Sequence, residues 1–210
     1  MTEIEYSNKE KRILNKLNSP KKIQDFLNKI PFNFEKQGET CMSPRKVLEN
    51  ETAHCMEGAL FAAAALENLG YQPLILDLRS AKKPFDYDHV VAIWNEKGFY
   101  GAISKTNHGV LRYREPIYKT IRELVMSYFH EYFLNSNGLK TLREYSDPFD
   151  LNHFNKIEWR TSDKDLFEIP KYLDKITHHQ ILTKKQIKNL RFADKIEIEM
   201  GKIEEFKNSK

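Results

Sequence analysis

The stretch that most limits how this chain can fold is 53–69, which contains the longest apolar run, Ala59–Leu66, and reads as the clearest helix of the sequence. Thr52 can cap it, Cys55 and Glu57 fall in its first two turns, its middle is rich in alanine, and Gly70 stands where a left-handed C-terminal residue is wanted. Downstream, 73–78 reads as a buried strand and 81–88 as a polar loop. Residues 89–94 and 99–104 then flank Asn95-Glu96-Lys97-Gly98 as the arms of a β-hairpin. A helix leading into such a meander implies an α+β fold, with the Cys55 helix packed on an antiparallel sheet that carries His89.

On either side of this unit the periodicity is mostly helical. Residues 7–17 and 20–29 place Ile13, Leu14 and Leu17, then Ile23, Phe26, Leu27 and Ile30, on one face each, with Ser19-Pro20 starting the second helix. The segment 32–51 reads as an ordered connection with one helical turn at 45–50. Residues 117–134 alternate charged and apolar side chains at helical spacing and stop at Asn137-Gly138. The aromatic-rich segment 140–170 reads as strand and loop covering the core, and Thr183 with Gln186 forms a capping box before a basic helix reaching Met200. The organisation expected is a single domain over 1–170 and a basic C-terminal helical extension over 171–210, packed on it or following it.

Composition removes several function classes. Of 210 residues, 40% are hydrophobic and 30% charged, which excludes disordered and fibrous chains. No apolar run approaches the roughly 20 residues that span a bilayer, and 1–11 is polar rather than a signal peptide, so a cytoplasmic protein with no membrane partner is expected. Cys41 and Cys55 are too few for a disulfide scaffold and lack C-x-x-C spacing, so reduced thiols are expected. The net charge of +4 resides in 171–210, with ten Lys/Arg against six Asp/Glu. A solvated helix face accounts for this better than a nucleic-acid contact, and nucleic acid is not an expected partner. No glycine-rich phosphate loop occurs. His178-His179 and Asp147…His153 include ligand residue types without zinc spacing, so neither cofactor nor metal is expected.

The chemistry points to Cys55 and His89. A cysteine in the first turn of a helix faces unpaired backbone N–H groups and the positive end of the helix dipole, which favour thiolate over thiol. A histidine opening the following strand pair can serve as its base. This order of cysteine at a helix start, helix, strand and then histidine heading a hairpin resembles the transglutaminase-like superfamily over about residues 40–108, within the broader papain-like group of thiol enzymes. It also looks like the core of arylamine N-acetyltransferases.

The resemblance implies a third residue, usually an aspartate, on the strand after the histidine. Pairing Trp94 with Phe99 sets Ser104 opposite His89, and a slip brings Lys105 or Thr106, so no acid occupies that position. Asn107 is the alternative orienter, as an asparagine is in papain-like enzymes. His54, just before the cysteine, is an oxyanion candidate. The function expected is a thiol-dependent amide or acyl hydrolase or acyltransferase acting on a peptide, protein or small amide or acyl substrate. The alternative is a transglutaminase-like scaffold without turnover, serving as a binding module.

Overall fold

The computed structural model describes residues 6–208. The chain opens with α1 (Asn8–Lys16), α2 (Pro20–Lys29), α3 (Pro44–Asn50) and α4 (Cys55–Asn68), then turns into β1 (Leu74–Ser80), β2 (His89–Glu96), β3 (Phe99–Ile103) and β4 (Arg114–Tyr118). After α5 (Ile121–Phe129) come β5 (Leu142–Ser146), β6 (Phe149–Asp150), a 3-10 turn (Leu151–Ile157) and α6 (Glu168–Leu173). The chain closes with β7 (His178–Gln180), α7 (Lys184–Lys188) and α8 (Lys195–Gly201). The strands form one antiparallel sheet in the order β4-β3-β2-β1-β5-β7, with β6 also beside β1. The class is therefore α+β.

Side-chain caps set most helix starts. Ser7 and Glu10 cap α1, Ser19 before Pro20 caps α2, Ser43 before Pro44 caps α3, and Thr120 with Glu123 caps α5. The α4 cap is His54 rather than Thr52, and Glu57 completes the box. The sheet is covered on both faces. Ile75, Val90, Ala92 and Trp94 join the core beneath α1 to α4, while Leu76, Leu78, Val91 and Ile93 join the core beneath α5. Two covered faces explain why β2 is buried continuously from His89 to Trp94 instead of alternating. Enclosed between the sheet and α1 to α3, α4 is buried from Met56 to Leu66, as an element apolar on all sides must be.

Three segments differ from the sequence reading. The hairpin closes through the two residues Lys97-Gly98, at φ 52° and 91°, which matches the right-handed strand twist better than a four-residue loop. Glu96 therefore pairs with Phe99 and Trp94 with Gly101, two residues from the Trp94–Phe99 pairing expected. Residues 114–118 form edge strand β4, with burial alternating at a period of two, so the helix expected over 117–134 begins only after the Thr120 cap and ends at Phe129. The basic helix is two short ones, interrupted where the Ala193 N–H donates to the Gly138 carbonyl (2.8 Å). The segment 171–210 also lends β7 to the sheet edge beside β5. Among the described residues no helix is long and apolar enough to cross a membrane.

One glycine controls how closely the loop leaving β3 approaches α4. A Cβ on Gly58 would lie 2.3 Å from the Lys105 Cβ, far inside contact distance. Gly58→Ala must displace this loop, and overpacking of this kind costs about 1–3 kcal/mol. The expected result is a thermal midpoint lowered by several degrees together with slower alkylation of Cys55, measured by thermal melting and timed thiol labelling. An unchanged midpoint would show that the loop has slack.

Candidate active site

The first residue of α4, Cys55, is half-buried. His89 is the first residue of β2 and only 7% exposed. The helix N-terminus and the strand head meet at one end of the sheet, where the Cys55 thiol and the imidazoles of His54 and His89 line one cavity. Burial would raise this thiol, but the two imidazoles outweigh it and lower it to about 5. Cys41 is the contrasting case. It is 2% exposed, and its thiol is pushed far up by burial and then by Glu57.

His89 Nε2 lies 2.8 Å from Ser104 Oγ, and the Ser104 hydroxyl donates to the Leu111 carbonyl at 2.6 Å. A serine has one proton to give. With that proton committed to Leu111, Ser104 Oγ accepts from His89 Nε2–H, which leaves Nδ1 as the nitrogen available to the thiol. The serine thus sets the tautomer that a general base needs. It does so from outside the regular ladder. In the observed register Thr106 would oppose His89, but β3 ends at Ile103, and the Ser104 side chain reaches the ring from the loop.

That loop is fixed by residues the sequence reading did not single out. Gln24, buried on α2, donates to the Ser104 carbonyl (2.8 Å) and accepts the Ser104 N–H (2.9 Å). Its signal was a polar residue on the face that carries Ile23 and Leu27. Lys105, 1% exposed, donates to the Leu27 and Ile30 carbonyls (2.8 and 2.6 Å) at the end of α2, and burial lowers it to about 8. Asn107 does not orient the imidazole. Its amide donates to the Phe206 carbonyl and accepts the Phe206 N–H, both at 2.9 Å, so it joins the loop to the C-terminal segment.

His54 sits beside the sulfur with its ring bound on both sides. Nδ1 accepts the Met56 N–H (3.2 Å), and Nε2–H donates to the Thr40 carbonyl (3.0 Å) with Glu57 Oε1 at 3.4 Å. Burial would lower this imidazole, yet the Cys55 sulfur and the Glu57 carboxylate raise it to about 9. A proton on Nδ1 would exchange the Met56 cap for the sulfur. In the oxyanion position expected of it, the ring would have to make that exchange.

A cavity of about 490 Å³ opens onto Cys55 and His89, with Phe32, Phe34 and Leu134 among its apolar walls and Glu35 and Asp88 among its polar ones. A larger cleft of about 950 Å³, between α1 and α3, carries neither cysteine nor histidine. Elsewhere, His178 pairs with Asp77 (3.0 Å) and His179 with Asp147 (2.7 Å), which ties β7 to its neighbours. Among the described residues, no group of three or more His, Cys, Asp or Glu is arranged to hold a metal ion. No protein family matches the chain, and comparison with curated proteins finds none similar to it.

The lowered thiol gives a direct expectation. Alkylation of the native protein should follow a titration with its midpoint near pH 5, should vanish in Cys55→Ala and should persist in Cys41→Ala. A midpoint near the ~8.5 of a free thiol would show that the imidazoles do not engage the sulfur.

Proposed function

We propose that this chain is a cysteine-dependent amide or acyl hydrolase or acyltransferase with a transglutaminase-like core, in which Cys55 is the nucleophile, His89 the base and Ser104 the third member. The observation that carries this reading is the hydrogen-bond chain from His89 through Ser104 to the Leu111 carbonyl, in the cavity that also holds a Cys55 thiol lowered by the His54 and His89 imidazoles. Each link has one donor and one acceptor, and together they leave His89 Nδ1 outside the chain and available to the thiol.

In the proposed mechanism the Cys55 proton is held by the flanking imidazoles, and the thiolate attacks a substrate carbonyl bound in the adjoining cavity. A carbon–sulfur bond forms as the carbonyl π bond opens. The resulting oxyanion lies at the α4 N-terminus, where first-turn N–H groups, that of Cys55 included, have no intrahelical partner. Collapse of this intermediate expels the leaving group, which receives the proton from His89 and leaves a thioester on Cys55. Water or an amine then attacks the thioester with His89 again as base, regenerating the thiol. Hydrolysis and transfer differ only in this last nucleophile.

Ser104 gives His89 a fixed tautomer but no negative charge, and the absence of that charge favours the scaffold without turnover. Acyl-enzyme formation separates the two readings. With an activated ester such as p-nitrophenyl acetate, a stoichiometric burst of p-nitrophenol is expected from the native protein and none from Cys55→Ala. Ser104→Ala should slow acylation about tenfold or more, within the range of general-base effects, and Ser104→Asp should strengthen the thiolate–imidazolium pair. A reactive thiol that forms no acyl-enzyme would leave the binding-module reading standing.

A further inference from the structure

The hydrogen-bond chain ends on a backbone carbonyl whose own conformation needs support. Leu111 is held at φ 60°, a left-handed conformation that disfavours a residue with a branched side chain. Its two backbone polar groups face different partners: the carbonyl accepts the Ser104 hydroxyl, and the N–H donates to Glu131 Oε2 at 2.8 Å. Glu131 is beyond the end of α5, and the same oxygen is bound by Arg114 at 2.7 Å. Arg114 is itself immobilised by the Ser127 hydroxyl and carbonyl and by the face of Tyr128, with the guanidinium 4.1 Å from the ring centre. A carboxylate fixed from behind therefore holds the Leu111 N–H and resists relaxation of the strained peptide.

We propose that Glu131 is a positioning residue for His89, holding Leu111 left-handed so that its carbonyl takes the Ser104 proton and Ser104 accepts from His89 Nε2–H. Without this anchor the Leu111 peptide relaxes and its carbonyl turns away. The Ser104 hydroxyl is then free to rotate and donate to Nε2 instead, which places the ring proton on Nδ1. That tautomer offers the thiol a donor in place of a lone pair. The inference rests on the Cys55–His89 reading for its functional meaning, but the His89 tautomer reports on it whether or not the thiol proves catalytic. Strain at Leu111, whose hydrogen bonds go to Ser104 and Glu131, thus acquires a role in the site.

The test compares the native protein with three variants by ¹⁵N NMR of the His89 ring, with the thermal midpoint of each as a control on folding. The native protein should show the Nε2–H tautomer. Glu131→Ala should shift His89 toward Nδ1–H. Glu131→Gln keeps an acceptor at the Leu111 N–H and should remain near the native state. Leu111→Gly adopts the left-handed conformation without strain, so Glu131→Ala/Leu111→Gly should recover the tautomer lost in Glu131→Ala alone. An unchanged tautomer in Glu131→Ala would overturn the proposal, and so would a loss that Leu111→Gly fails to recover in a protein of native thermal midpoint. A native thiol with an ordinary titration would instead overturn the reading of the dyad, while the tautomer would still decide the role of Glu131.

Discussion

A single buried carboxylate organises the entry to α4 and everything gathered there. Glu57, with no solvent exposure, accepts from the Asn33 amide, the Thr40 hydroxyl, the Met42 N–H and the His54 N–H, all within 3.0 Å. A charge removed from water is tolerated only when its oxygens are saturated in this way. The donors come from the otherwise irregular segment before α3 and from the cap of α4. One side chain therefore closes that segment against the helix start, seats His54 as the cap and aims Cys55 at the end of the sheet. The dependence runs in one direction: without Glu57 four donors lose their acceptor at once, and the thiol loses the frame that presents it to His89.

How much of this was legible in the sequence depended on whether local chemistry or distant packing decided each feature. The Cys55 helix, the strand beginning at His89, α1 and the Ser19-Pro20 start of α2 follow from periodicity and local start signals. The hairpin register was missed because Asn95-Glu96-Lys97-Gly98 allows either a four-residue or a two-residue loop, and Lys97 at positive φ is an uncommon choice. β4 was missed because its five residues, Arg114–Tyr118, are too few for an alternating pattern to stand out from the helical spacing that follows. Asn107 had the right residue type near the right place, but its amide was already matched to the backbone of Phe206, 99 residues away in sequence. No local pattern encodes a contact of that range. Gln24 and Glu131 share this character, since each acts on a loop that its own segment does not reveal.

The resemblance implies an acid after the histidine, the sequence has Ser104 there, and the structure bonds that serine to His89 with its own proton committed to Leu111. An aspartate both fixes the tautomer and stabilises the imidazolium, whereas Ser104 supplies only the first of these. Part of the second comes from elsewhere. His54 brings a second imidazole to the sulfur, backed by Glu57 at 3.4 Å and Glu35 at 3.8 Å. The negative charge absent beside His89 is thus present behind His54, on the other side of the thiol. Two imidazoles with different supports, one uncharged and one anionic, flank a single sulfur.

This division has a consequence for stability as well as reactivity. The Cys55 thiol is lowered from 9.0 to about 5, so its contribution to folding is full above pH 9.0 and fades as the pH falls toward 5. His54 is raised from 6.5 to about 9, so its contribution is full below pH 6.5 and fades as the pH rises toward 9. The two shifts describe largely the same thiolate–imidazolium attraction seen from either partner, and they cannot be added as independent gains. Acid removes the pair by protonating sulfur, and alkali removes it by deprotonating the ring. The ion pair is therefore present only in the interval between, and across neutral pH the fold is supported by the same charge separation that arms the thiol.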